Sequence, residues 1–201
     1  SDLSMLNGYV GLLTWPIIIF YSVHAKGKIK YGLWAMIIFL FLASTGNQTP
    51  VRYWLYQFVP GFEMFRHPSI FRIYFMIGLL VLFGFGLQEV WKQNLWKKLL
   101  PYYFGLAFVL VLSILLTFFP GYKEFKPLLN DVLNRVEGPG HGIKSHVFFQ
   151  AIIGLVLVGS LLIWFKKAPL RIMGSGLIVF IAIDLFLATQ LNIFTTINNN
   201  K

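Results

Sequence analysis

The chain has 201 residues, of which 57% are hydrophobic, 18% aromatic and only 12% charged, with a mean hydropathy of +0.71. Soluble chains carry about 25% charged residues, and one globule of this composition would lack the polar surface to cover itself. A soluble enzyme, a disordered chain and a secreted disulfide module are therefore excluded, and the composition points to a bilayer.

The net charge of +10 suggests nucleic acid only until the charges are placed. The 17 Lys and Arg fall in the gaps between apolar runs, where membrane topology uses them, so nucleic acid is discounted as a partner and membrane lipids take its place. The absence of cysteine excludes a disulfide framework and thiolate metal sites. No charged segment followed by an apolar run and a cleavage site opens the chain, so no signal peptide is read there.

Six apolar runs approach the length that a helix needs to cross hydrocarbon, near 8–23, 31–44, 73–88, 99–119, 147–165 and 172–191. None alternates at period two, which argues against a transmembrane β-barrel and leaves helices. The expected fold is all-α: a polytopic transmembrane bundle of about six spanning helices, with short interfacial helices in two outer loops. Pro16 lies inside the first run.

The connections set the orientation. Residues 24–30, 89–98 and 166–171 are short and together hold nine of the 17 positive charges. Residues 45–72 and 120–146 are long and, with the chain ends, hold most of the acids. The positive-inside rule places the short connections in the cytoplasm and both ends outside it, in a bacterial cytoplasmic membrane. With both ends outside and no signal peptide, the stretch is expected to be an internal piece of a larger membrane protein.

In the first long loop, Gly46 and Asn47 break the preceding helix and Pro50 suits the first turn of a new one. Aromatics recur from 51 to 59 (Tyr53, Trp54, Tyr56, Phe58), the pattern of a segment lying in the interface, and Pro60-Gly61 ends it. Glu63, Arg66, His67 and Arg72 follow just before the third span. Such a rim anchors to ordinary lipid phosphates, or it forms a site for a lipid-linked phosphate, which the planar fork of arginine grips bidentately. Arginine rather than lysine, on the side where topology alone would not put it, speaks for the second reading, while the spacing fits both.

The second long loop predicts a surface amphipathic helix over 127–137, followed by a flexible GPGHG stretch at 138–142. His141 and His146 have no carboxylate at ligand spacing, and the glycines lack the GK[ST] ending of a phosphate loop, so no metal site and no nucleotide site is assigned. Asp184 is the one acid inside a span, about two-thirds of the way along it, and a structural role is expected for it: a hydrogen bond to a neighbouring helix or a water-exposed rim position. The pair Gly154 and Gly159 and the run Gly174, Ser175, Gly176 read as helix-packing surfaces.

The run GNQTPVRYWLYQFVPGFEMFRHPSIFR and the following IGLLVLFGFGLQEV resemble the YfhO family of bacterial membrane proteins. The family pattern falls on Gly46, Thr49, Pro50, Pro60, Gly61, Phe62, Phe65, Arg66 and Pro68, and on Gly84 and Gly86; GYVGLL at 8–13 is similar to an earlier part of it. The likeness covers roughly the first ninety residues. It implies a glycosyltransferase of the GT-C type, which takes a sugar from a polyprenyl-phosphate carrier on the outer face. By that analogy Arg66 contacts the carrier phosphate, with Arg72 and Arg52 as helpers, and with His67, Glu63 and Asp184 as supporting candidates. His67 departs from the small apolar residue common there. The acidic catalytic loop of such enzymes is not in this stretch, which implies a missing N-terminal half or a partner subunit. Two other classes remain: a non-catalytic membrane scaffold or partner subunit, and half of a lipid or solute transporter, which wants broken helices or paired ionisable groups in mid-membrane.

Overall fold

A computed structural model describes residues 9–45, 50–60, 69–118 and 141–196. Every regular element among them is helical: a 3-10 turn at Leu12–Thr14, then α1 (Trp15–His24), α2 (Ile29–Ser44), α3 (Pro50–Phe58), α4 (Ser69–Gln93), α5 (Trp96–Phe118), α6 (His141–Lys167) and α7 (Leu170–Thr196). The all-α expectation holds. Among the described residues three stretches are long and apolar enough to cross a membrane, Phe71–Gln93, Trp96–Leu116 and Val147–Lys167. Leu12–His24, Ile29–Ser44 and Ile172–Ala188 are shorter apolar helical stretches.

Two expectations shift. The run at 8–23 is not one helix: α1 starts only at Trp15 and has ten residues, about 15 Å at the helical rise, half of a hydrocarbon core. Elsewhere helices outrun the apolar runs, because hydropathy marks where lipid would begin and not where backbone pairing begins. Thus α4 continues through Glu89 and Lys92, and α6 already includes His141 and Gly142, which the sequence assigned to a flexible loop. The amphipathic helix expected at 127–137 lies outside the described residues.

The chain divides into two compact units, Ser1–Val10 with Ile17–Lys92 and Gly11–Pro16 with Gln93–Lys201. In the first, Val10, Ile18, Tyr21, Ala25, Ile37, Leu79 and Leu82 form a buried cluster, bordered by Leu33, Trp34 and Phe75. The C-terminus of α1 is closed by polar groups from α2. Lys30, itself buried, donates from Nζ to the Ser22 carbonyl at 2.8 Å, and the Trp34 indole donates to Ser22 Oγ at 2.9 Å. A cation on a terminal carbonyl both satisfies an orphan acceptor and meets the negative end of the helix dipole. Lys30 is thus bound to protein rather than free at the surface.

In the second unit α5 packs on α6, α6 on α7, and the 3-10 turn on α7. Phe165 of α6 meets Trp96 and Tyr103 of α5, with ring centroids 6.2 and 5.8 Å apart. The indole of Trp164 lies against Gly176, where a side chain would collide with it. Gly154 likewise makes room for Leu12 and Leu110, whereas Gly159 has open space around it. Of the expected packing glycines, then, Gly154 and Gly176 pack closely and Gly159 does not.

The pair Gly84 and Gly86 divides in the same way. A Cβ on Gly86 would come within 2.8 Å of Ile17 Cγ2 and 3.0 Å of its carbonyl, so α1 and α4 touch there backbone to backbone, while nothing lies within 4 Å of a Cβ on Gly84. Gly86→Ala is expected to cost about 1–3 kcal/mol as α1 is forced outward. Gly84→Ala is expected to be neutral or to stabilise by up to about 1 kcal/mol through helix propensity. Thermal unfolding of the two variants in one detergent compares them, and equal losses would remove the close approach assigned to Gly86.

Candidate functional site

Among the described residues, two places bear on the candidate residues. The first is the segment before α1. Pro16, the second residue of α1, fits a first helical turn but cannot pass the helix backward: its ring would meet the Leu12 carbonyl, and it has no N–H to bond it. The Leu12 carbonyl instead accepts from the Trp15 N–H in a 3-10 turn. One turn earlier Gly11 stands at φ +93° and ψ +130°, a conformation open to glycine and strained for other residues. Glycine and proline together therefore keep Gly11–Thr14 out of the α-helix.

Leaving the helix exposes backbone groups that lipid cannot satisfy, each at a cost of several kcal/mol. They are satisfied by two other helices. Asp184 of α7, 4% exposed, accepts from the Leu13 N–H at 3.1 Å. Tyr103 of α5, fully buried, donates its hydroxyl to the Leu13 carbonyl at 3.1 Å. Thr14 Oγ1 closes the turn on the Gly11 carbonyl at 2.7 Å. Both backbone groups of Leu13 are held, and its side chain is 0% exposed.

The second place is the start of α4 with α3 before it. Pro50 begins α3 as expected, and this is the most amphipathic of the described helices. It packs against α2 and leaves Tyr53, Trp54 and Phe58 exposed. Arg52 belongs to its first turn. Arg72 stands in the first turn of α4, half-buried, and that turn has no acidic residue. The unpaired N–H groups of a first turn and the helix dipole already make such an end attractive to anions, and an arginine adds to it.

No known protein family, characterised protein or solved structure matches this chain. What the residues do is therefore argued from their placement.

Of the candidates named in the sequence, Glu63, Arg66 and His67 lie outside the described residues. Arg52 and Arg72 belong to the first unit and Asp184 to the second. Asp184 hydrogen-bonds the Leu13 backbone N–H in the turn before α1 and is buried, so it takes the first of its two structural alternatives and not the exposed rim position. Among the described residues no three of His, Asp and Glu gather as metal ligands would. Sequence reading missed Tyr103 and the Leu13 backbone. The available signal was a glycine five residues before a proline inside one apolar run, with an acid in another run needing a donor.

The cost of disturbing the Leu13 clamp follows from these bonds. Asp184→Leu strands a buried N–H and Tyr103→Phe a buried carbonyl, and each is expected to destabilise by about 1–3 kcal/mol. Because both act on one residue, the double variant should lose less than the sum. Gly11→Ala is expected to cost about 1–3 kcal/mol through backbone strain alone, since its Cβ would find only ordinary contacts, the nearest 3.4 Å from Asp184 Oδ2. Denaturation midpoints in detergent measure all four variants, and full additivity would show that the two side chains act independently.

Proposed function

We propose that the chain is the membrane-embedded part of a glycosyltransferase that draws on a polyprenyl-phosphate-linked sugar at the extracytoplasmic face of a bacterial cytoplasmic membrane. The observation that carries this reading is the electropositive start of α4. There Arg72 occupies a first turn without acids, directly after the segment whose motif resembles the YfhO family and contains Arg66. A phosphate between a polyprenyl chain and a sugar needs a cationic contact at the rim of the bilayer, with apolar surface beside it for the isoprenoid. The exposed aromatics of α3 provide that surface in the same stretch of chain.

In this reading six helices span the membrane: α1 with the turn before it, α2, α4, α5, α6 and α7. The basic connections face the cytoplasm, and α3 lies in the outer interface. The chain has no cysteine, so single cysteines report their side directly. A cysteine replacing Lys28 is expected to react with an impermeant maleimide only in inverted vesicles, and one replacing Gln57 only in intact spheroplasts. The opposite pattern would overturn the orientation.

Phosphate contact is tested on Arg66, with Arg72 as the weaker helper. Arg66→Ala is expected to lower both sugar transfer in membranes and photocapture of a polyprenyl-phosphate probe by at least tenfold. Arg66→Lys should recover part of each, because it keeps the charge and loses the fork. Unchanged transfer and capture in Arg66→Ala protein that folds normally would end the phosphate role.

The Leu13 clamp bears on the alternative of a transporter half. A broken helix in a transporter offers its freed backbone groups to an ion or solute. Here the described backbone groups of Leu13 are taken by Asp184 and Tyr103, which favours a fixed scaffold over a moving gate.

A further inference from the structure

The opposite end of α4 carries a second feature, independent of the reading above. Gly84, Leu87, Gln88, Trp91 and Lys92 line an open groove of about 340 Å³. Their spacing places them on one stripe of the helix, and Gly84 forms a notch with nothing within 4 Å of where its side chain would be. Gly86, on another face, is the residue that meets α1, so the groove is not the seat of that helix.

The wall of the groove is almost wholly apolar, and its one charged residue, Lys92, stands at one end. Lys92 and Trp91 stand at the close of the membrane-crossing stretch Phe71–Gln93, both exposed. Gly84 lies eight residues earlier, about 12 Å deeper along the axis, within one leaflet's half of a hydrocarbon core about 30 Å thick. A cleft running that way follows the direction of an acyl chain, from headgroup level inward. At its mouth, Lys92 supplies a positive charge, Gln88 an amide donor and Trp91 an amphipathic ring of the kind that settles at headgroup depth. Among the described residues no acidic side chain lines it.

We propose that this groove holds one anionic phospholipid, its phosphate at Lys92 and Gln88 and one acyl chain over the Gly84 notch. The lipid belongs to the leaflet at the Lys92 end of α4. The lysine makes the preference one of charge, and the missing side chain at position 84 makes room for the chain. A free inorganic phosphate would meet only the mouth and gain nothing from the notch.

The test uses the full chain in nanodiscs containing photoreactive phosphatidylglycerol or phosphatidylcholine, with the diazirine in the acyl chain and crosslinks mapped by peptide mass spectrometry. Crosslinks to the segment 84–92 are expected to favour phosphatidylglycerol. Lys92→Gln should lower that preference about fivefold, the contribution of one lysine near an anionic surface. Gly84→Leu should abolish capture in this segment for both lipids while leaving crosslinks elsewhere on the chain. If Gly84→Leu does not fold, Lys92→Gln decides alone, since its side chain is exposed. Equal capture of the two lipids by the unaltered protein, or an unchanged preference in Lys92→Gln, would overturn the proposal.

Discussion

The structure turns on a backbone that leaves the helix where water cannot follow it. Leu13 has its N–H held by Asp184 and its carbonyl held by Tyr103. In water those groups would need no such attention. Inside an apolar bundle each unmade bond is a loss that no hydrophobic contact offsets, because lipid tails are as apolar as leucine. One carboxyl and one phenol therefore tie a six-residue segment, Gly11–Pro16, into a unit made otherwise of residues after Gln93. Neither α5 nor α7 can slide past this segment without breaking a buried bond.

The same economy appears wherever helices come close. Gly86 lets α1 lie backbone to backbone on α4, Gly154 admits Leu12, and Gly176 makes room for the indole of Trp164. Packing of this kind replaces the hydrophobic drive that a membrane removes, and it depends on small residues at particular positions rather than on their number. Gly84 and Gly159 show the contrast: both are helical and neither meets a neighbour. In the proposed lipid groove, the emptiness at Gly84 is itself the useful property.

Helix ends carry the remaining polar chemistry. Lys30 closes α1 by binding a terminal carbonyl, and Lys166 and Lys167 stand in the last turn of α6, where the dipole favours cations. Arg72 stands against the dipole in the first turn of α4. Charges that count equally toward topology in the sequence thus do different physical work at different ends.

The helical class, the membrane setting, the amphipathic α3 with Pro50 at its start and the general positions of the apolar helices were all legible in the chain. Composition and periodicity act on every residue at once, so they survive ignorance of the contacts. The break before α1 went unread, although Pro16 fits only the first turn of a helix and Gly11 takes a conformation that suits glycine; nothing local says which groups then satisfy the freed backbone. That answer lies 90 and 171 residues away, at Tyr103 and Asp184. A hydrogen bond between distant helices has no sequence period, and a glycine that packs has the same letter as one that does not. By itself the sequence determined which segments avoid water. Only the tertiary structure decided which side chains complete the broken backbone, because that depends on the distance between atoms that the chain order leaves free.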